Sequence, residues 1–426
     1  MALGHSKSNL KGQLPPDRTG IWWLSPFWLM VGFLTPLFLA IMLLGEINSP
    51  ALTIRGTRFL DLGYSLGGVS LILLMAITAL IGQKIELKGH GAVHERPWAR
   101  AAWILGLVSL FAYIVWFREI FFSPSTLFGI LTGSIRLGRN DIAKAAGFSS
   151  LVNFMPIFFA LLTHVWTTKP EAVSKWLKIL ALVLLVLTVF RVYVWSERLA
   201  LIEVGVAIMV PYVCARHASM KPAGRRAVAV LPFIGIPVVL AYFGLGEYFR
   251  SWQSDFYQGK MPFWEFIAGR FASYYYTSLN NGAGLLSTQD WPSYKFENTL
   301  DFARKMPWII GALFRYYVDI DQNSLGVFLS RYADAEFNNP SGVYSVVFDV
   351  GVVGAIVYFG ALGFLVGLLY RSIMKGQARG VLLYPMCFVM MLELYRYPYF
   401  GSSRAFTAIL GVLLTLYLLS RRKSES

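Results

Sequence analysis

The apolar residues of this chain fall in long blocks, not in alternation, and each block is about as long as a bilayer is thick. A membrane-crossing helix needs about 20 consecutive apolar residues. Runs of that kind predict ten helices, over 21–44, 62–82, 101–122, 149–168, 179–196, 199–215, 227–248, 343–370, 381–397 and 402–420. One block needs splitting. From Ile179 to Ala215 the only charged residues are Arg191, Glu197, Arg198 and Glu203. A charge at the centre of a bilayer costs at least ~2.5–3.5 kcal/mol on insertion scales. Two spans of about 18 residues joined by a hairpin place Ser196, Glu197 and Arg198 at the membrane face instead.

Composition agrees with that pattern. The chain of 426 residues is 56% hydrophobic and 14% charged, against about 25% charged in soluble domains. This predicts an all-α polytopic membrane protein of about ten spans. The first run is too long for the h-region of a signal peptide, so it is expected to stay as a span. Two cysteines, Cys214 and Cys387, are too few for a disulfide framework.

Charge sets the expected orientation. The segments 1–20, 83–100, 169–178, 216–226, 371–380 and 421–426 hold 20 Lys and Arg against 5 Asp and Glu, and the rest of the chain holds 18 of each sign. The whole surplus of +15 therefore lies on one side, which the positive-inside rule makes cytoplasmic, with both termini there. It reports topology and gives no reason to expect nucleic acid. The neutral side has its own bias: its 18 basic residues are 14 Arg and 4 Lys. A planar guanidinium fork matches phosphate oxygens in pairs.

The outer connections are unequal. The chain divides into a bundle of seven spans (1–248), a long external insertion (249–342) and three last spans (343–426). The insertion carries Trp252, Trp264, Trp291 and Trp308, which is too aromatic for a disordered segment. MPFWEFIAGRFASYYY, 261–276, has helical spacing, and a second helix is expected from ENTLDFAR, with Asn298 and Asp301 as its cap. Arg304, Trp308 and Arg315 would then share a face unless Pro307 kinks it. Both helices are expected to lie on the membrane as amphipathic segments. Rings such as Tyr275 and Tyr332 could stack on sugars, or belong to an interfacial aromatic belt.

All five histidines fall on or near the basic side. That leaves no imidazole for nucleophilic catalysis or a metal on the outer side, so a general base there must be a carboxylate. Asp319 and Asp321 form a D-x-D, which reads either as a metal-holding pair or as an exposed acidic turn. RYADAEF, 331–337, offers Arg331, Asp334 and Glu336 just ahead of a span, and Asp349 lies inside that span. An acid within a span is a functional candidate, or else the partner of a nearby Arg. Gly351, Gly354, Gly360, Gly363 and Gly367 suit close helix packing.

At these residues the chain resembles the O-antigen polymerase and ligase superfamily, most of all its Wzy-type repeat-unit polymerases. The topology is similar, with a large external loop late in the chain. So is the arginine at an external hairpin tip, SERLAL with Arg198. Ahead of the span that follows the loop, Pro340-Ser341-x9-Gly351-x-x-Gly354 has the spacing of the ligase motif H-[NSQ]-x9-G-x-x-[GTY], with proline replacing the histidine. An Arg-x10-Gly spacing, also similar to the polymerases, occurs at Arg136/Gly147, Arg315/Gly326 and Arg331/Gly342.

The resemblance implies a GT-C-like fold in the bacterial inner membrane with a periplasmic active face. It implies a metal-independent glycosyltransferase without cofactor. Donor and acceptor would both be undecaprenyl-diphosphate-linked oligosaccharides, the product an O-antigen or exopolysaccharide, and a chain-length-regulating membrane protein a partner. Arg198, Arg315 and Arg331 would grip the leaving diphosphate, with Glu336 or Asp334 as base and Glu203 orienting Arg198. Arg136, Arg139, Arg270, Arg304, Arg396, Arg404, Tyr275, Tyr332 and Ser341 would contact substrate. The alternatives are a ligase-type glycan transferase and a flippase for the same lipid-linked sugar.

Overall fold

The computed structural model describes residues 21–46, 57–85, 93, 98–135, 141, 147–195, 197–253, 261–306, 308–317, 324–333 and 337–420. Among them no β-strand occurs, and nine helices are long and apolar enough to cross a membrane. These are α1 (Pro26–Leu43), α2 (Leu62–Lys84), α3 (Trp98–Trp116), α4 (Phe148–Thr168), α5 (Lys175–Trp195), α6 (Arg198–Arg216), α7 (Pro222–Glu247), α11 (Tyr344–Met374) and α13 (Ser403–Ser420). The protein is a multi-pass α-helical membrane protein. Between α7 and α11 lie α8 (Phe263–Thr288), α9 (Trp308–Tyr317) and α10 (Ser324–Tyr332). The tenth expected span is α12 (Ala378–Leu392), of 15 residues.

At 1.5 Å per residue α12 is about 22 Å long, short of the ~30 Å hydrocarbon core. The expected span ran to 397, but the helix ends at Leu392, and Pro398 has no N–H to offer the Leu394 carbonyl. The turn beyond it is tied to the start of α11. Gly342 N–H donates to Leu394 O at 2.9 Å and Ser341 N–H to Arg396 O at 3.0 Å. A Cβ on Gly342 would sit 2.5 Å from Leu394 O and 2.7 Å from Tyr397 O, so only glycine lets these two turns meet.

Helix contact in a bilayer depends on close approach of backbones, not on hiding apolar surface. α11 and α2 show this. An added Cβ on Gly363 would lie 2.2 Å from Met75 O, and one on Gly367 2.1 Å from Ala79 O. Both steps are four residues, so the helices run parallel, one turn of each against one turn of the other. Of the five glycines picked from the sequence, these two make the interface. Gly351 has φ 74° and breaks the helix near its start, while a Cβ on Gly360 would meet only the Thr78 methyl, at 4.0 Å.

α7 stands apart. Of its 26 residues only Phe243, Gly244 and Glu247 are buried. Its other attachment is a pair of indoles: Trp23 Nε1 donates to Val228 O at 2.8 Å and Trp22 Nε1 to Ala229 O at 2.9 Å. Val228 has lost its helical partner because residue 232 is proline and has no N–H. Trp23 supplies the missing donor.

The long insertion is helical, but α8 does not lie flat on a membrane surface. It extends to Thr288, and every residue from Tyr276 to Leu286 is buried. Asn280 accepts from the N–H groups of Phe59 (2.7 Å) and Leu60 (3.0 Å) and donates to Thr57 O (2.9 Å). Asn281 donates to Phe337 O at 2.7 Å. The amphipathic spacing of 261–276 describes only the first half. The second half, rich in Ser, Asn and Gly, is buried, and the helix as a whole packs against α1, α7, α10 and α11.

The second helix of the insertion is also broken. Asp301–Arg304 forms one turn and α9 begins at Trp308, so Arg304 and Arg315 do not share one helix face. Asn298 caps nothing: the residue before that turn is Leu300 and no side chain closes it. Asn298 serves Asp349 instead. The Asp349 carboxylate is fully buried and accepts four hydrogen bonds, from the N–H groups of Asn298 (3.0 Å) and Thr299 (2.7 Å), Asn298 Nδ2 (2.9 Å) and Thr299 Oγ1 (2.8 Å). The acid inside the span pins the insertion to α11, with amides and a hydroxyl as partners in place of an arginine.

Candidate functional site at the hairpin end

The bundle has a basic end and an end that carries the 196–198 hairpin. Charged residues at the hairpin end are gathered into two lattices. In the first, Arg191, near the end of α5, pairs with Glu197 Oε2 at 2.5 Å and lies 4.9 Å from the Trp116 ring. The other oxygen of Glu197 meets Arg404 Nη2, and Arg404 Nη1 donates to Glu203 Oε2 at 2.5 Å. Glu203 Oε1 accepts from the Tyr399 hydroxyl at 2.6 Å. Burial pushes the Tyr399 phenol well above its ordinary value, and Glu203 adds to the push, so the group stays a donor.

The second lattice faces another way. Arg198 Nη2 pairs with Glu247 Oε1 at 2.5 Å and its guanidinium lies 4.6 Å from the Phe243 ring. Arg270 Nε reaches the other oxygen of Glu247 at 3.2 Å. Glu247 is fully buried and Arg270 is 2% exposed. Glu203 therefore does not orient Arg198. Positions 198 and 203 are five residues apart on α6, about 140° around the helix, so one faces α7 and α8 while the other faces α13.

The charges noticed in the 179–215 block thus sit at a helix hairpin, and each is taken up by one lattice or the other. A buried charge must be paired and hydrogen-bonded to be tolerated. A further pair, Arg396 with Glu393 at 2.7 Å, lies beside the Tyr274 ring.

Glu203, Tyr399 and Arg404 open onto a cleft between α4, α6, α12 and α13. Its free volume is about 10 Å³, room for about one water. Its walls are apolar, among them Ile157, Ala207, Leu382, Met386 and Val389, and Asn153 adds a further polar group. The lining joins a charged end to a greasy wall, and the helices around it would have to part before an amphiphile with an anionic head could enter.

The other residues picked from the sequence are scattered. Arg304 pairs with Asp301 at 2.7 Å, and Arg315 donates to the Arg304 carbonyl at 3.0 Å. Arg331 is exposed in the last turn of α10. Tyr332 packs edge-on to Phe59 at 5.8 Å. Tyr275 has its phenol pushed up to about 12 by burial, with Glu393 adding to the effect. Ser341 is fully buried, and its Oγ accepts from the N–H groups of Val343 (3.2 Å) and Tyr344 (3.4 Å). It starts α11 and its hydroxyl is turned into the fold. Arg136, Arg139, Ser196, Asp319, Asp321, Asp334 and Glu336 lie outside the described residues. Among the described residues no group of three or more His, Cys, Asp or Glu could hold a metal.

Three participants were not singled out in the sequence. Glu247 ends an apolar span and carried no visible signal beyond being a lone acid there. Glu393 and Tyr399 flank or lie in the RYPYFGSSR turn, whose density of aromatic and basic residues was the available clue. A search of protein-family models, curated proteins and solved structures finds no match to this chain.

Proposed function

We propose that this protein polymerises oligosaccharide repeat units carried on undecaprenyl diphosphate, at the periplasmic face of a bacterial inner membrane. The anomeric carbon of the growing chain leaves its lipid diphosphate as a hydroxyl of the incoming unit attacks. The observation that supports the reading is the arginine-bearing end of the bundle, where Arg404 meets an apolar lining from α4, α6, α12 and α13. A diphosphate whose lipid tail lies in the bilayer must present its charge at that depth. Fixed cations in surroundings that exclude water stabilise the departing charge without reorganising. Arg198 stands on the same end of the bundle, and Arg315 and Arg331 belong to the insertion that follows α7. The charge asymmetry favours a periplasmic hairpin end and cytoplasmic termini, and the GT-C-like architecture is part of the same proposal. Proline at 340, where ligases place histidine, favours polymerase over ligase.

The test uses purified protein in liposomes with a lipid-diphosphate-linked oligosaccharide and EDTA. The expected result is a ladder of longer glycans on a gel. Transfer only to an added acceptor lipid would replace the polymerase by a ligase. Movement of the glycan across the bilayer without elongation would replace it by a flippase.

A further inference from the structure

Arg404 is held by two carboxylates at once, Glu197 on one nitrogen and Glu203 on the other. Glu203 is held by two donors, Arg404 on Oε2 and the Tyr399 hydroxyl on Oε1. Glu203, Arg404 and Tyr399 line the cleft. The pair is therefore closed, yet each member has a second tether that would survive separation. An anion admitted as the cleft widens competes with Glu203 for the guanidinium. If Arg404 turns to it, Glu203 keeps its place through Tyr399 but loses its direct ion pair, with Arg191 left as the nearby cation. A carboxylate less well paired between apolar walls accepts a proton more readily.

We propose that Glu203 is the general base of this site, and that Arg404 holds it inactive until a diphosphate is bound. This rests on the polymerase reading. The lipid diphosphate draws Arg404 away from Glu203. The acceptor hydroxyl gives its proton to the Glu203 carboxylate as its oxygen bonds to the donor's anomeric carbon. The bond from that carbon to the diphosphate oxygen breaks, and its electron pair leaves on the diphosphate, where Arg404 meets the new charge. Water meeting an empty cleft finds the base already neutralised. Coupling the base to the leaving group in this way suppresses hydrolysis of the donor.

Steady-state turnover of a lipid-diphosphate-linked oligosaccharide in liposomes tests this, with Glu203→Gln, Tyr399→Phe and Arg404→Lys beside the unaltered protein. General-base catalysis is worth about 10²–10⁴-fold. Glu203→Gln should lower kcat by at least about 100-fold while the donor KM stays within about threefold. Tyr399→Phe leaves the carboxylate and the Arg404 pair in place. It should shift the acid limb of the pH–rate profile, which a purely structural role would not move. Arg404→Lys should raise the donor KM. Glu203→Gln turning over within about threefold of the unaltered protein overturns the proposal while the polymerase reading stands. So does an unmoved acid limb in Tyr399→Phe, which decides the matter if Glu203→Gln does not fold. No ladder from the unaltered protein overturns both.

Discussion

At the scale of single residues, the bonding partners of a buried carboxylate separate a pin from a group that lines the cleft. Asp349 looks like a functional acid in the sequence because it sits within a span. Its four hydrogen bonds all go to residues 298 and 299, and it is fully buried. Asp349→Ala would orphan two buried amide N–H groups, and each such loss costs about 1–3 kcal/mol. A marked fall in the thermal midpoint in detergent is expected. Asp349→Asn should fall less, and its activity per folded molecule should stay near the unaltered level. A folded but inactive Asp349→Asn would make the residue catalytic after all.

Glu247 gives a second comparison. Removing one partner of a buried pair costs about 3–5 kcal/mol, because the other charge is left stranded. Arg270 and Glu247 are both enclosed, and Glu247 serves Arg198 as well, so Glu247→Ala should yield little folded protein. Arg198→Ala leaves Glu247 its Arg270 partner and should fold, as size-exclusion profiles of the two variants would show. Its loss of polymer is then a statement about Arg198 in the reaction. Equal yields would mean that the buried Arg270 does not depend on Glu247.

At the scale of elements, two helices depend on specific chain chemistry. α7 is enclosed only near its end and is otherwise fixed by indole bonds. Trp23→Phe leaves the Val228 carbonyl without a donor, since Pro232 has none to give, and should lower stability by about 1–3 kcal/mol. Trp22→Phe should cost less, because Phe233 still has an N–H to offer Ala229. Thermal unfolding of the two variants checks the order. α11 and α2 depend on absent side chains: Gly363→Leu would drive a branched group into the Met75 carbonyl, and loss of folded yield is expected. The existence of these helices was legible from hydrophobic run length. Their ends were not: α12 stops at Leu392, and the apolar turn that follows it is bonded to the segment ahead of α11 through Leu394 and Arg396. The path of α8 was not legible either, because a helix enclosed by protein and one lying on a membrane can share the same first turns.

At the scale of the molecule, orientation and assembly can be checked together. Ser219, at the basic end, and Lys305, in the insertion, are both exposed, and the native cysteines are buried. With cysteine at each position in turn, an impermeant maleimide should label position 305 in right-side-out vesicles and position 219 only in inside-out ones. The reverse pattern would invert the topology and remove the periplasmic site.

The sequence by itself determined the class, the approximate number of crossings and the side on which the positive charge collects. Those follow from run length, transfer free energy and charge counts, which are additive along the chain. It also marked Arg191, Glu197, Arg198 and Glu203 as residues whose charge needs an explanation. Only the tertiary structure decided the partners. Arg404 is 201 residues from Glu203 and Arg198 is 49 from Glu247, so no local pattern could join them. A pairing between helices is fixed by the direction each face takes after packing. Five residues along α6, about 140° of rotation, were enough to send Glu203 to the cleft and Arg198 away from it.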